Sequence, residues 1–133
     1  MHRHFARDFD SLTAIYEFAE EILEANDIGA ATRFPVHLAM EEVFTNMVKY
    51  SPDSDAEIGV DVVVDAGAVT VILTEDDVDE FDVTRPSDVD IGASLADRTP
   101  GGLGLHLLQN MVDKLEYQYL DRRSRVIFTK KSG

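Results

Sequence analysis

The sequence predicts an α+β two-layer sandwich, one mixed or antiparallel sheet covered on one face by helices. Three observations predict it. Apolar residues recur every three or four positions over an early stretch of chain, and a second stretch carries helix start and stop residues. β-Branched runs come in pairs separated by short turns. The 133 residues are 44% hydrophobic, enough for one core. Because helices and hairpins are segregated rather than alternating strand by strand, a parallel crossover sheet is disfavoured. Residues 1–133 therefore read as a single domain.

From Asp10 to Asn26, Leu12, Ile15, Tyr16, Ala19, Ile22 and Leu23 form one apolar stripe, with Glu17, Glu20, Glu21 and Glu24 between them. This is an amphipathic helix. Asn26-Asp27-Ile28-Gly29 supplies its stop, with Asn26 and Gly29 as the residues tolerant of left-handed geometry. Thr32 or its neighbour is the expected cap of a second helix, with Pro35 in the first turn, running to about Tyr50 and ended by Ser51-Pro52-Asp53. Ile58–Val64 and Val69–Thr74 flank the turn Asp65-Ala66-Gly67 as an antiparallel hairpin. Residues 75–100 are polar and acidic, longer than an ordinary connection, and such loops are usually functional. Leu105, Leu107, Leu108, Met111 and Val112 predict a third helix. Leu115–Leu120 and Val126–Lys130 then form a second hairpin around Asp121-Arg122-Arg123-Ser124.

Composition excludes several classes. Lys and Arg number 12 against 26 Asp and Glu, a formal charge of −14, which opposes direct nucleic-acid binding and anionic membranes. With no cysteine there is no disulfide, thiolate nucleophile or Cys-ligated zinc. His2, His4, His37 and His106 show no metal-ligand spacing. No signal-peptide stretch or run of about 18 apolar residues is present, so the expected location is the cytoplasm.

Three features carry candidate chemistry. Glu42 and Asn46, four apart, share one helix face. The carboxylate can accept a proton from an attacking hydroxyl, and the amide oxygen is a hard ligand suited to Mg2+; two solvated surface residues are the plain alternative. Gly102-Leu103-Gly104-Leu105 stands where the long loop becomes a helix, and free amides at a helix start attract phosphate. A glycine turn that only serves packing fits it equally well. Glu75-Asp76-Asp77-Val78-Asp79-Glu80-Phe81-Asp82 leaves the second hairpin strand, where a carboxylate can meet an exocyclic amine or simply face water.

With the stretches LAMEEVFTNMVKYS at Leu38–Ser51 and PGGLGLHLLQNMVDKLEY at Pro100–Tyr117, the chain resembles the anti-sigma regulatory factor serine/threonine kinases. These are a branch of the GHKL superfamily, which also holds the ATP-binding domains of gyrase and the histidine kinases. The resemblance covers residues 8 to 131 and implies the Bergerat, or histidine-kinase-like ATPase, fold. It also implies ATP and Mg2+ as cofactors. Glu42 matches the general base, and Asn46 the magnesium ligand. Lys49, three residues on and on a neighbouring face, can meet a phosphate or simply face solvent. Asp76 matches the aspartate that bonds the adenine amine. Gly102, Leu103, Gly104 and Leu105 match the phosphate-wrapping turn, residues 83–100 the ATP lid with Arg98 reaching the terminal phosphate, and Ser124 the position of a common threonine. This chain departs from the family at Val78, where glycine is usual, and at Glu80, where proline is usual. A β-branched residue narrows the approach beneath adenine and resists positive φ. The family's first strand reduces here to a remnant, His2-Arg3-His4-Phe5.

The resemblance implies an anti-sigma factor serine/threonine kinase that binds ATP-Mg, phosphorylates an anti-anti-sigma (STAS-type) protein and otherwise sequesters a sigma factor. Such proteins often form homodimers. The alternative from another class is a non-catalytic partner-switching module of the same fold. A sensor histidine-kinase catalytic domain ranks last, because 133 residues leave no room for a dimerisation helix pair.

Overall fold

A computed structural model describes residues 1–50, 56–78 and 110–131. Its elements are β1 (His2–Phe5), α1 (Ser11–Ala25), α2 (Ala30–Tyr50), β2 (Ile58–Asp65), β3 (Ala68–Glu75), β4 (Lys114–Leu120) and β5 (Arg123–Lys130). The strands form one sheet in the order β1-β2-β3-β5-β4, with every neighbouring pair antiparallel. Both helices pack on one face, as the patterning predicts. The expected third helix is described only at Asn110 and Met111. The expected lid at 83–100, Arg98, the glycine turn at Gly102–Leu105, and Ser51-Pro52-Asp53 lie outside the described residues.

Period-two alternation explains which face each strand turns inward. Val69, Val71 and Leu73 of β3 are buried, as are Ile58, Val60 and Val62 of β2 and Val126 and Phe128 of β5. In register, Val71 stands opposite both Val62 and Phe128, and Leu73 opposite both Val60 and Val126. Phe18, Ile22 and Leu23 of α1 and Met40, Phe44 and Met47 of α2 close this core from above. Each such side chain contributes about 1.5–3 kcal/mol on burial. Phe34 is instead 67% exposed.

Element ends differ in detail from the sequence reading, each for a local reason. The left-handed residue after α1 is Asp27 (φ 56°), not Asn26 or Gly29. Ile28 N–H donates to Leu23 O and Asp27 N–H to Glu24 O, a Schellman closure that buries Ile28. Asn26 uses its side-chain amide to donate to Ile22 O at 2.8 Å. Gly29 then stands just before α2, its carbonyl accepting from both Thr32 and Arg33 N–H at 3.0 Å. The helix thus begins before Thr32, and Pro35 falls in its second turn. The amide Pro35 lacks would have met Ala31 O, and Ala31 is exposed to water, which limits the cost. The remnant strand is real: β1 pairs with β2 along its whole length.

Both hairpins use two-residue turns with positive φ at each central position: Ala66 (51°) and Gly67 (82°), Asp121 (52°) and Arg122 (64°). These match the twist of the flanking strands. The second turn is therefore shorter than expected, and Arg123 and Ser124 belong to β5. A non-glycine residue in the left-handed region is strained by about 1–2 kcal/mol. Ala66→Gly is expected to raise stability in urea denaturation by about 0.5 kcal/mol, the strain relief exceeding the added chain entropy. A lower urea midpoint would show that the turn is not strained at Ala66.

Candidate functional site

Glu42 and Asn46 project from consecutive turns of α2, the helix that lies across β3 and β5. Asn46 is fully buried, and its Nδ2 donates to the Glu42 carbonyl at 2.6 Å. That bond fixes the amide's orientation, since a flipped amide would set oxygen against oxygen. Asn46 Oδ1 therefore faces away from its own helix backbone. It is buried and has no hydrogen-bond partner among the described residues, and the same is true of Glu42 Oε2. Each unpaired acceptor costs about 1–3 kcal/mol, and two on adjacent turns point to a group that supplies what they lack.

Glu42 has a raised pKa. Half-burial is the main cause, the neighbouring Glu41 charge adds to it, and Lys49 partly offsets both. Lys49 is half-buried in the last turn of α2, so its charge acts on the carboxylate rather than standing free in solvent.

The strand acids divide between two sides of the sheet. Continuing the inward series Val69, Val71, Leu73, the next residue is Glu75, which is 2% exposed and stands in register between Ile58 and Ser124. Ser124 is likewise buried on this face. Asp76 is directed elsewhere. It pairs with Arg123 Nε at 2.6 Å and lines a shallow depression with Gln118, Arg123 and Arg125 on the side of the sheet away from the helices. The structure thus brings Glu42, Asn46, Glu75 and Ser124 to the helix side, and Asp76 to the other.

The expected difficulty at Val78 is relocated as well. The positive φ falls on Asp77 (57°), one residue earlier. Val78 is buried, its N–H donating to Arg122 O at 3.0 Å and its carbonyl accepting from Tyr119 OH at 2.8 Å. Asp77 pairs with Arg122, so Arg122 of the β4–β5 turn and Arg123 at the start of β5 pair with the first acids after β3.

Arg7 carries no local signal in the sequence. It is almost fully buried, donating to Ala56 O at 3.2 Å, to Met47 O at 3.1 Å and to Glu75 Oε2 at 3.3 Å. One guanidinium thus ties the residue after Asn46 to the end of β3. Glu75 at least extends the strand alternation visible in the sequence; Arg7, 68 residues away, has no such signal.

On the outer side of the helices, Glu20 accepts from Arg33 and is bonded to His37 Nε2 at 2.6 Å. Burial would raise the Glu20 pKa, but these two partners outweigh it and lower it. An apolar groove between α1 and α2, lined by Leu12, Tyr16, Phe34 and Leu38, is separate: none of Glu42, Asn46, Glu75 or Ser124 lines it. No helix among the described residues is long and apolar enough to cross a membrane.

Residues 5–130 match the family model described as histidine kinase-like ATPase domain. Among solved structures, the histidine kinase AdeS of Acinetobacter baumannii is similar in fold, with a TM-score of 0.50 at 12% identity, covering 100% of this chain and 68% of that one. No curated protein sequence matches.

Proposed function

This chain belongs to the histidine kinase-like ATPase family, and from that premise we propose that it is an ATP- and Mg2+-dependent protein serine/threonine kinase of the anti-sigma type. Its substrate would be a serine or threonine hydroxyl on an anti-anti-sigma protein of STAS type, and it would otherwise sequester a sigma factor. The observation that carries this reading is the buried, unpartnered Asn46 Oδ1 one turn from the unpartnered Glu42 Oε2.

The donor chemistry fits a hard cation: a neutral amide oxygen is a hard ligand, and water and phosphate oxygens would supply the remaining ones. Asn46 would hold Mg2+, which when bound offsets the charge of the phosphate groups. Glu42 accepts the proton of the attacking hydroxyl as oxygen bonds to the γ-phosphorus and ADP departs. Its raised pKa makes it a stronger base than a free carboxylate, at the cost of being ionised over a narrower pH range. Glu75 and Ser124, beside each other on the inward face, are the polar groups at the strand ends that a nucleotide base would meet.

One observation favours the partner-switching module without turnover. Glu75 is already ion-paired with Arg7, so a base amine would have to share that carboxylate. Thermal melting separates the two readings. A ligand at 100 times its Kd adds about 2.7 kcal/mol, a rise on the order of 10 °C for a domain of this size. The kinase reading expects that rise with ATP plus Mg2+, and Asn46→Ala is expected to remove the Mg2+ dependence. An unchanged midpoint at millimolar ATP-Mg would leave the binding module; an unaltered magnesium titration in Asn46→Ala would remove Asn46 as the ligand.

A further inference from the structure

The edge strand β1 carries a histidine pair that the spacing of the sequence did not mark as ligands, because the strand that aligns them was only a remnant there. His2 and His4 stand two apart. Since Phe5 turns inward and is buried, both imidazoles project from the opposite face, away from the helices. In register, His2 lies against Asp61 and His4 against Gly59. The two Nε2 atoms are 3.3 Å apart and the ring planes stand at 80°.

We propose that His2 and His4 form a binding site for a divalent transition-metal ion of the Zn2+ class, with Asp61 as its supporting carboxylate. Two imidazole nitrogens on one tetrahedral zinc, each at about 2.0–2.1 Å, are necessarily about 3.3 Å from each other, which is the separation the strand already imposes. His2 Nδ1 lies 2.9 Å from Asp61 Oδ1, so Nδ1–H donates to the carboxylate and the lone pair is left on Nε2, the atom that faces His4. This is the carboxylate–imidazole arrangement that orients metal ligands and raises their basicity. Without a cation, one Nε2 must carry a proton and donate to the other; with one, both lone pairs are used.

Gly59 makes the room. A Cβ at that position would come within 3.0 Å of His2 Cε1, 3.4 Å of His2 Nε2 and 3.5 Å of His4 Cδ2. Any other residue there would push the rings out of their present alignment. The site is open, with the His2 side chain 43% exposed. Among the described residues no group of three or more His, Cys, Asp or Glu converges on a metal position, so water completes the coordination. The overall charge of −14 favours cation approach, and imidazole donors select zinc, copper or nickel over magnesium. The site lies across the sheet from Asn46 and does not depend on the nucleotide reading.

The test is calorimetric titration of Zn2+ into the EDTA-treated full chain without nucleotide, with the imidazole nitrogens followed by NMR. One equivalent of zinc is expected to bind and to shift both Nε2 resonances together. His2→Ala and His4→Ala should each weaken binding by at least about tenfold, and Asp61→Asn by about tenfold or more. Gly59→Ala should also weaken it, whereas Asn46→Ala and excess Mg2+ should leave it unchanged. The His substitutions are on exposed side chains, and circular dichroism checks that the sheet persists. Zinc uptake that leaves both Nε2 resonances unmoved, or equal affinity in the His2→Ala/His4→Ala double variant, would overturn the assignment.

Discussion

Glu42→Gln is expected to lower phosphoryl transfer to a serine-bearing protein substrate by about 10²–10⁴-fold, the usual contribution of a positioned general base, while ATP affinity stays unchanged. Gln keeps the size of the side chain and its place on α2 but has no basic oxygen for the hydroxyl proton. The pH dependence gives a second handle. Burial, and secondarily Glu41, raise the Glu42 pKa above its ordinary 4.5, with Lys49 opposing. Transfer requires the ionised form, so the rate should climb as pH rises through that elevated value and then level off. In Glu42→Gln this limb should vanish.

Stability runs with the opposite sign. Protonation of Glu42 contributes stability that is fully present below 4.5 and is lost as pH rises through the higher folded value. Above that folded value the wild type carries an ionised, partly unsatisfied carboxylate, and Glu42→Gln should melt no lower than wild type there. Equal transfer rates in the two proteins, or a pH limb that survives the substitution, would remove Glu42 from the chemistry. A lower melting point in the variant would instead assign the lost activity to the fold.

Arg7→Met is expected to have the largest effect on stability, a loss of about 3–5 kcal/mol in urea denaturation, the range for breaking one side of a buried ion pair. Three groups lose a donor at once: the Met47 and Ala56 carbonyls and the Glu75 carboxylate, which is 2% exposed. A total stability near 5–15 kcal/mol leaves little margin for this. Replacing Glu75 as well, in Arg7→Met/Glu75→Met, should restore much of the loss, because desolvation of the remaining charge disappears with it. The comparison separates charge from packing: a double variant as unstable as the single one would mean the carbonyl bonds dominate, and a loss below about 1 kcal/mol in Arg7→Met would mean the pair is solvated in solution.

The same ion pair bears on the proposed nucleotide site. Met47 follows Asn46 directly, so a guanidinium that grips the Met47 carbonyl and the Glu75 carboxylate sets the spacing between α2 and the end of β3. Where Arg7→Met/Glu75→Met regains its stability, the fold is kept and that spacing is freed. A thermal shift by ATP-Mg in this variant, set beside the wild type, reports whether the pair supports the pocket or occupies it.

Much of the molecule was legible from local rules. Spacing of three and four marked α1, start and stop residues marked α2, β-branched pairs marked the hairpins, and a separation of four placed Glu42 and Asn46 on one helix face, because helix and strand periods are properties of neighbouring residues. Strand parity also contained Glu75, since it extends the alternation of Val69, Val71 and Leu73, but the acid run Glu75-Asp76-Asp77 offers three candidates and only the burial of one face chooses among them. What the tertiary structure alone decided was long-range: Arg7 meeting Glu75 across 68 residues, Asp76 turning to Arg123, and His2 meeting Asp61 through the pairing of β1 with β2. Such contacts depend on which strands become neighbours, and that is set by burial of the whole core against chain entropy rather than by any window of sequence.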